Sequence, residues 1–356
     1  MNDKRITQKD VAELAGVSTS IVSYVINNGP RSVSEETKQR VWQAIETLNY
    51  RPDKYAQKLM REKWQSGQLH QFGAIIGGGV EHLQRPFYGA ILAGIYQGAR
   101  NTGEKLRFVQ FFDDLHDPIT FNQLTDQSEI SGLILMAIDQ AIKTKADETL
   151  LNKLLDRIDN VVCVEQKWGN LPAVVFDLQE AAYKAVSHLI GLGHQHIGYI
   201  GLNDRRVFGY QQAFFSQHIP INRELIYTLD LINDAVGGYD GASELLNCGH
   251  PPTALCAASD EVAIGILRYA HENNLSIPHD IALVSIDNVE LSPYLTPALT
   301  TIDIPKHQMG EHAVRMLQER AQHPKSPAVA AVLPTELIIR ESCGAKIKQI
   351  SSPLFH

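Results

Sequence analysis

Thr19, Ser20, Ser23, Tyr24 and Asn27 share one arc of roughly 140° when residues 19–27 are wound at about 100° per residue. Each ends in a small or hydrogen-bonding group, and none is an acid. Ile21, Val22, Val25 and Ile26 fill the rest of the circumference. A short helix divided in this way packs on one side and offers donors and acceptors on the other. That suits the major groove of DNA, where phosphates repel carboxylates and base edges carry a hydrogen-bonding code. Thr19, Ser20 and Tyr24 lie near the start and middle of the polar arc, where base edges would be met.

Such a helix needs a frame. Thr7 has the composition of a cap for a first helix, with Asp10 at capping-box spacing. Val11, Ala12, Leu14 and Ala15 supply its apolar side. Gly16 stands where the chain must turn sharply, and Ser18 caps the second helix. An ordinary amphipathic helix pair is the plainer reading. Against it stand Ala12, Gly16 and Val22, spaced as a helix-turn-helix requires: a small residue at the crossing, a glycine in the turn and a branched residue in the shared core. Asn28-Gly29-Pro30 then marks a turn, and Ser34 caps a third helix, Glu35–Leu48, with Val41, Ala44, Ile45 and Leu48 at helical spacing. Residues 1–52 therefore form a small headpiece. Residues 53–66 follow as a hinge helix and linker. The run Asp53–Arg61 carries Lys54, Lys58 and Arg61 around Leu59, and is too short to hold a helix alone in water. It reads either as a solvated linker or as a segment that folds on DNA and wedges Leu59 into the minor groove.

Charge agrees with this division. The net charge is −8 over 356 residues. Residues 1–63 hold 11 Lys/Arg against 8 Asp/Glu, a net +3, while residues 64–356 hold 21 against 32, a net −11. A basic head on an acidic body meets DNA with the head. No run is long enough to span a membrane, and the polar start MNDKRITQKD lacks the apolar core of a signal peptide, so a cytoplasmic protein is expected. Cys163, Cys248, Cys256 and Cys343 are scattered without metal-ligand spacing, and the 14 histidines show none either. No metal or cofactor is expected, and Cys163 and Cys256, lying in apolar runs, read as buried thiols.

From Phe72 apolar runs of strand length alternate with amphipathic helical segments. Strands are predicted at Gly73–Ile76, Leu106–Phe112, Gly132–Met136, Val161–Val164, Val174–Phe176, Ile197–Ile200, Leu225–Thr228, Leu255–Ala258 and Ile281–Ile286. Helices are predicted between them at Tyr88–Asn101, Gln179–Leu192, Glu261–Asn273 and His307–Ala321. This alternation means parallel sheets covered by helices. Two such sets in series imply two similar halves with a cleft between them, and ligands in open parallel sheets bind at the carboxyl ends of the strands.

The chain resembles the lactose/galactose-repressor family of bacterial transcription factors. The likeness runs from about Ile6 to Ser342, through KDVAELAGVS, VSYVINN, VSEETKQRV and LNYRPDKYAQKL in the headpiece. It continues in order through PFYGAI, GLGHQHIGYIG, SDEVAIG, LTPALTTIDIP and IIRES in the body. It implies an α/β protein with an all-α helix-turn-helix headpiece and a two-lobed periplasmic-binding-protein-like core of doubly wound parallel sheets. The implied core subdomains are residues 67–168 with 293–328, and 169–292 with 329–345, leaving 346–356 as a tail. The chain would cross between them near Glu165–Pro172, Leu291–Pro297 and Pro327–Val332.

The same resemblance implies a homodimer on near-palindromic operator DNA, with a small-molecule effector in the core and no membrane partner. Thr19, Ser20 and Tyr24 would read bases. Thr7, Ser18, Ser23, Asn27, Lys54 and Lys58 would join them in DNA binding, and Leu59 would be the wedge. Phe87, Tyr88, Arg206, Ser259 and Asp287 would bind the effector, with Phe87 and Tyr88 reaching in from the other half. A guanidinium donating to oxygens and a carboxylate accepting from hydroxyls suit a sugar or nucleoside-like ligand. Asp260 has its own explanation as a helix cap. Three departures from the pattern set this pocket apart: a shorter loop before Arg206, Leu231 where relatives stack an aromatic ring, and Leu178 where an asparagine is common. The tail holds no sustained heptad and is broken by Pro353, so a dimer rather than a coiled-coil tetramer is expected. Two other functions compete. A solute-binding protein of sugar uptake would explain the body, but not residues 1–61 or the missing signal peptide. A nucleotide-dependent enzyme would explain Gly77-Gly78-Gly79, but the run lacks the spacing of a phosphate-binding loop, and no Ser/His/Asp set stands out.

Overall fold

A computed structural model of the chain describes residues 6–26, 33–48, 50, 71–127, 129–230 and 232–345. Asn27, Lys54, Lys58, Leu59, Leu231, the 53–66 linker and the 346–356 tail lie outside the described residues.

The headpiece holds helices α1 (Gln8–Ala15), α2 (Thr19–Ile26) and α3 (Glu35–Thr47). Asp10 reaches back to the Thr7 amide (2.7 Å) and hydroxyl (2.6 Å), which satisfies donors that α1 leaves open. Gly16 ends α1 at φ +64°, a left-handed turn in which a side chain would be strained. Ser18 and Ser34 cap the next two helices, accepting from the amides of Ile21 (3.3 Å) and Thr37 (3.4 Å). Val11, Ala12, Ala15, Val22, Val25, Val41, Ala44 and Ile45 form one buried core, with Ile21 and Ile26 packed at its edge. Leu14 departs from expectation and stays 52% exposed. It lies three residues after Val11 and before Val17, but α1 is only eight residues long and its buried stripe is filled by Val11, Ala12 and Ala15.

The body holds two six-stranded sheets. The first runs β2-β1-β3-β4-β5-β11 and the second β7-β6-β8-β9-β10-β12. In the first, β1 is Gln71–Ile76, β2 Lys105–Phe111, β3 Gly132–Met136, β4 Val161–Glu165, β5 Ala173–Val175 and β11 Ala330–Val332. In the second, β6 is Ile197–Leu202, β7 Ile226–Leu229, β8 Ala254–Ala257, β9 Ala282–Asp287, β10 Thr300–Asp303 and β12 Glu336–Ile338. The strands β1, β3 and β4 pair in parallel with Ala74 beside Ile134 and Ile134 beside Val162, and β6, β8 and β9 repeat the arrangement. Only β12 runs antiparallel to its neighbour among the pairings of the second sheet. Central strands buried on both faces explain the near-continuous apolar runs in the sequence.

Contacts divide the chain into two units. One gathers the described residues of Met1–Arg85 with Ile91–Val174 and His307–Ala331; the other gathers Pro86–Ala90, Val175–Lys306 and those of Val332–His356. Apart from the short excursion at Pro86–Ala90, the passages between them fall at 174/175, 306/307 and 331/332. Two of the expected crossings, near Glu165–Pro172 and Leu291–Pro297, are thereby displaced, and residues 293–306 belong to the second unit. The reason is β10, four residues that pair with β9 and keep the chain in the second sheet as far as Asp303. Both cysteines expected in the core are buried, and burial pushes the Cys163 thiol up to about 11 and the Cys256 thiol to about 12. Among the described residues no helix is long and apolar enough to cross a membrane.

Candidate functional site

The first candidate surface is α2. Val22 and Val25 face the headpiece core, while Thr19 and Ser20 are exposed and Ser23 and Tyr24 half-buried. Thr7 and Ser18, at the starts of α1 and α2, are exposed as well. The polar arc is thus open at its N-terminal end, the end that enters a groove in helix-turn-helix docking.

The second candidate lies in the second unit. Its strand order reverses between β6 and β8, the switch point at which an open parallel sheet leaves room for a ligand beyond the strand ends. Arg206 follows β6, Ser259 follows β8 and Asp287 ends β9, so three neighbouring strands deliver these side chains to one edge. Asp204 caps the helix Arg205–Ser216 by accepting from the Arg206 amide at 2.9 Å. The same carboxylate clamps the Arg206 guanidinium, accepting from Nε at 3.1 and 3.2 Å and from Nη2 at 2.5 Å. Nη1 donates to the Ala258 carbonyl at 2.9 Å, which fixes the group beside the end of β8. Burial works against the guanidinium's charge, but the Asp204 carboxylate and smaller pulls from Tyr199 and Asp287 together more than offset it. Arg206 is therefore held charged, above its ordinary range, in one orientation. Burial also keeps the neighbouring Tyr199 hydroxyl protonated, and it donates to the Leu202 carbonyl at 3.0 Å.

Ser259 is buried and caps the helix Asp260–Glu272 through the Val262 amide (3.2 Å). The cap expected at Asp260 thus sits one residue earlier. Asp287 is 6% exposed and adopts φ +117°. Phe87 and Tyr88 are buried, with ring centroids 5.2 Å apart, and Phe87 also lies 6.2 Å from Phe176. Both rings stand in the first turn of the helix Pro86–Thr102. The sequence reading missed Asp204, the partner that holds Arg206, and Asn233, whose side chain accepts from the Leu202 amide at 2.8 Å. Asp204 was open to detection as an acid immediately before an amphipathic run, a cap signal.

A helix-turn-helix headpiece ahead of two doubly wound units, one bearing a charged edge at its switch point, defines a DNA-binding regulator with a ligand-sensing core. Residues 7–53 match the family model for bacterial regulatory proteins of the lacI family, and residues 186–343 match a periplasmic binding protein-like domain. The chain is 30% identical over 354 residues to the HTH-type transcriptional repressor PurR of Aliivibrio fischeri, covering 96% of this chain and 99% of that one. It is 31% identical to PurR of Escherichia coli O139:H28 over 347 residues, 94% and 96% of the two chains. Its fold is similar to that of the lac repressor dimer bound to operator and the anti-inducer ONPF, with TM-score 0.64 and 25% identity over 96% of this chain and 99% of that one. It is also similar to the regulator CelR in complex with cellobiose, with TM-score 0.68 and 24% identity over 95% and 100%. The chain belongs to the lacI family of bacterial transcriptional regulators.

Proposed function

We propose that this regulator represses transcription as a homodimer on near-palindromic operator DNA in the cytoplasm, and that a small polar metabolite, sugar or nucleoside-like, controls it. The observation that carries the sensing half is the Arg206 guanidinium, buried and clamped by Asp204 at the same sheet edge at which Asp287 ends its strand. Because Asp204 already balances Arg206, the site suits a ligand that accepts from a guanidinium and donates to a carboxylate. Arg206 and Asp287 are the contacts, with Ser259, Phe87 and Tyr88 shaping the site around them. In the headpiece Thr19, Ser20 and Tyr24 read base edges. Thr7, Ser18, Ser23, Asn27, Lys54 and Lys58 support binding, and Leu59 wedges the minor groove.

A thermal-shift screen of sugars, nucleosides and nucleobases tests the sensing half. A ligand of the native state raises the melting temperature with the logarithm of its concentration. The expected hit also changes the affinity of the protein for its DNA. If the hit binds Arg206→Ala and Asp287→Ala as tightly as wild type, this site is wrong.

A further inference from the structure

Asp260 opens a helix but does not cap it. It is fully buried, and its carboxylate gathers donors from three segments of the second unit. They are the hydroxyls of Ser285 in β9 (2.5 Å), of Thr301 in β10 (2.6 Å) and of Ser292, together with the Val289 amide (2.8 Å). All four surround one short stretch, the turn that leaves β9.

That turn is unusual. Asp287 and Asn288 stand at φ +117° and +53°. Successive non-glycine residues keep such a path only where their surroundings over-determine it. The determinants are visible on every side. Lys306, 8% exposed, donates through Nζ to the carbonyls of Asp287, Asn288 (3.2 Å) and Ile304 (2.9 Å). Thr301 Oγ1 accepts from the Asn288 amide at 3.2 Å. Arg340 donates to the Asn288 side-chain oxygen at 2.7 Å, and the Asn288 amide group donates to Asp303 at 2.8 Å. The peptide groups of the turn are thus gripped by both a buried anion and a buried cation.

Burying two opposite charges is costly, and a simple strand end needs neither. The turn they grip carries Asp287, whose charge acts on both Arg206 and Lys306. We propose that Asp260 and Lys306 are positioning residues of the effector site: together they hold Asp287 and Asn288 in their positive-φ path and so set where the Asp287 carboxylate stands relative to Arg206. Neither touches the effector itself. This deepens the assignment of Arg206 and Asp287 as effector contacts and rests on it.

The test uses the full-length protein and needs no effector. Amide exchange is followed at Asn288 and Val289, and the carboxyl carbon resonance of Asp287, assigned through Asp287→Asn, is followed by NMR. Asp260→Asn keeps the shape but replaces an all-acceptor group. It is expected to speed exchange at Val289 at least tenfold and to move the Asp287 resonance, while β6, β7 and β8 exchange as in wild type. Lys306→Met is expected to move the Asp287 resonance and to loosen the same turn, and it carries the test alone if Asp260→Asn does not fold. Wild-type exchange and an unmoved Asp287 resonance in these variants would overturn the proposal. So would faster exchange spread evenly over the whole second sheet, the mark of a merely structural role. Failure of the effector assignment is read separately, as ligand binding that survives Asp287→Ala.

Discussion

The two sheets repeat one strand order yet end in different chemistry. In the first unit the switch point is lined by glycines, a histidine and a side-chain amide. Gly77 bonds the Met136 carbonyl (2.8 Å), the His82 ring packs so tightly on Gly78 that a Cβ would stand 1.9 Å from Nδ1, and His82 Nε2 meets Gln140 Oε1 at 2.5 Å. The nearby Asp139 is pushed by burial toward its neutral form. In the second unit the equivalent edge carries Arg206 locked to Asp204, with Asp287 and Asp260 close behind. Topology alone sets where a ligand can reach; the side chains set whether charge awaits it there. The second edge is preorganised, because its ions are held by partners before any ligand arrives.

The largest expected effect follows from that difference. Asp260→Ala strands four donors around one buried site, at a cost of roughly 3 kcal/mol or more, since each buried group left unpaired costs about 1–3 kcal/mol. Chemical denaturation should show this loss in the second unit, whereas Gln140→Ala in the first should cost far less. Equal losses would erase the contrast between the two edges.

Arg206→Ala comes next. Loss of a charge-assisted hydrogen bond should weaken the metabolite found by screening by about 1.5–3 kcal/mol, measured by calorimetry. Substituting Gln140 should leave that affinity within about twofold.

Much of this division was legible in the sequence. The three headpiece helices were, because caps and periodicity are local signals: Thr7 with Asp10, Gly16, Ser18 and Ser34 each act within four residues. The long central strands were legible through their apolar runs. Thr300–Asp303 was not, since a four-residue strand shows no period and its buried threonines look polar. Asp260 was read as a cap because its partners Ser285, Ser292 and Thr301 are 25 to 41 residues away, brought near only by the fold. Asn27, Lys54, Lys58 and Leu59 lie outside the described residues, so their assignment stays with the sequence.

Two smaller effects sharpen the contrast between headpiece and core. Thr7→Ala should cost the headpiece about 1 kcal/mol, read as a lower melting transition for that domain while the core is unchanged. In the second unit, burial holds His188 and His194 below their ordinary pKa. The unfolded chain then takes up protons at a higher pH than the folded one. Stability is therefore full above the ordinary histidine value of about 6.5 and falls as pH drops through it toward the folded values. Urea melts between pH 7 and 5 should show this decline, and His188→Gln should make it shallower. A decline of unchanged slope would remove His188 from the account.

The central claim is that α2 reads DNA while the second unit senses a metabolite. Selection from a randomised DNA pool by wild type, Tyr24→Ala and Arg206→Ala tests it most directly. If Tyr24 presents its hydroxyl and ring to base edges as proposed, Tyr24→Ala should select a different base pattern and lose about 1–3 kcal/mol on the wild-type site. Arg206→Ala should select the wild-type sequence. If Tyr24→Ala keeps the wild-type preference, or Arg206→Ala changes it, the division between reader and sensor is wrong.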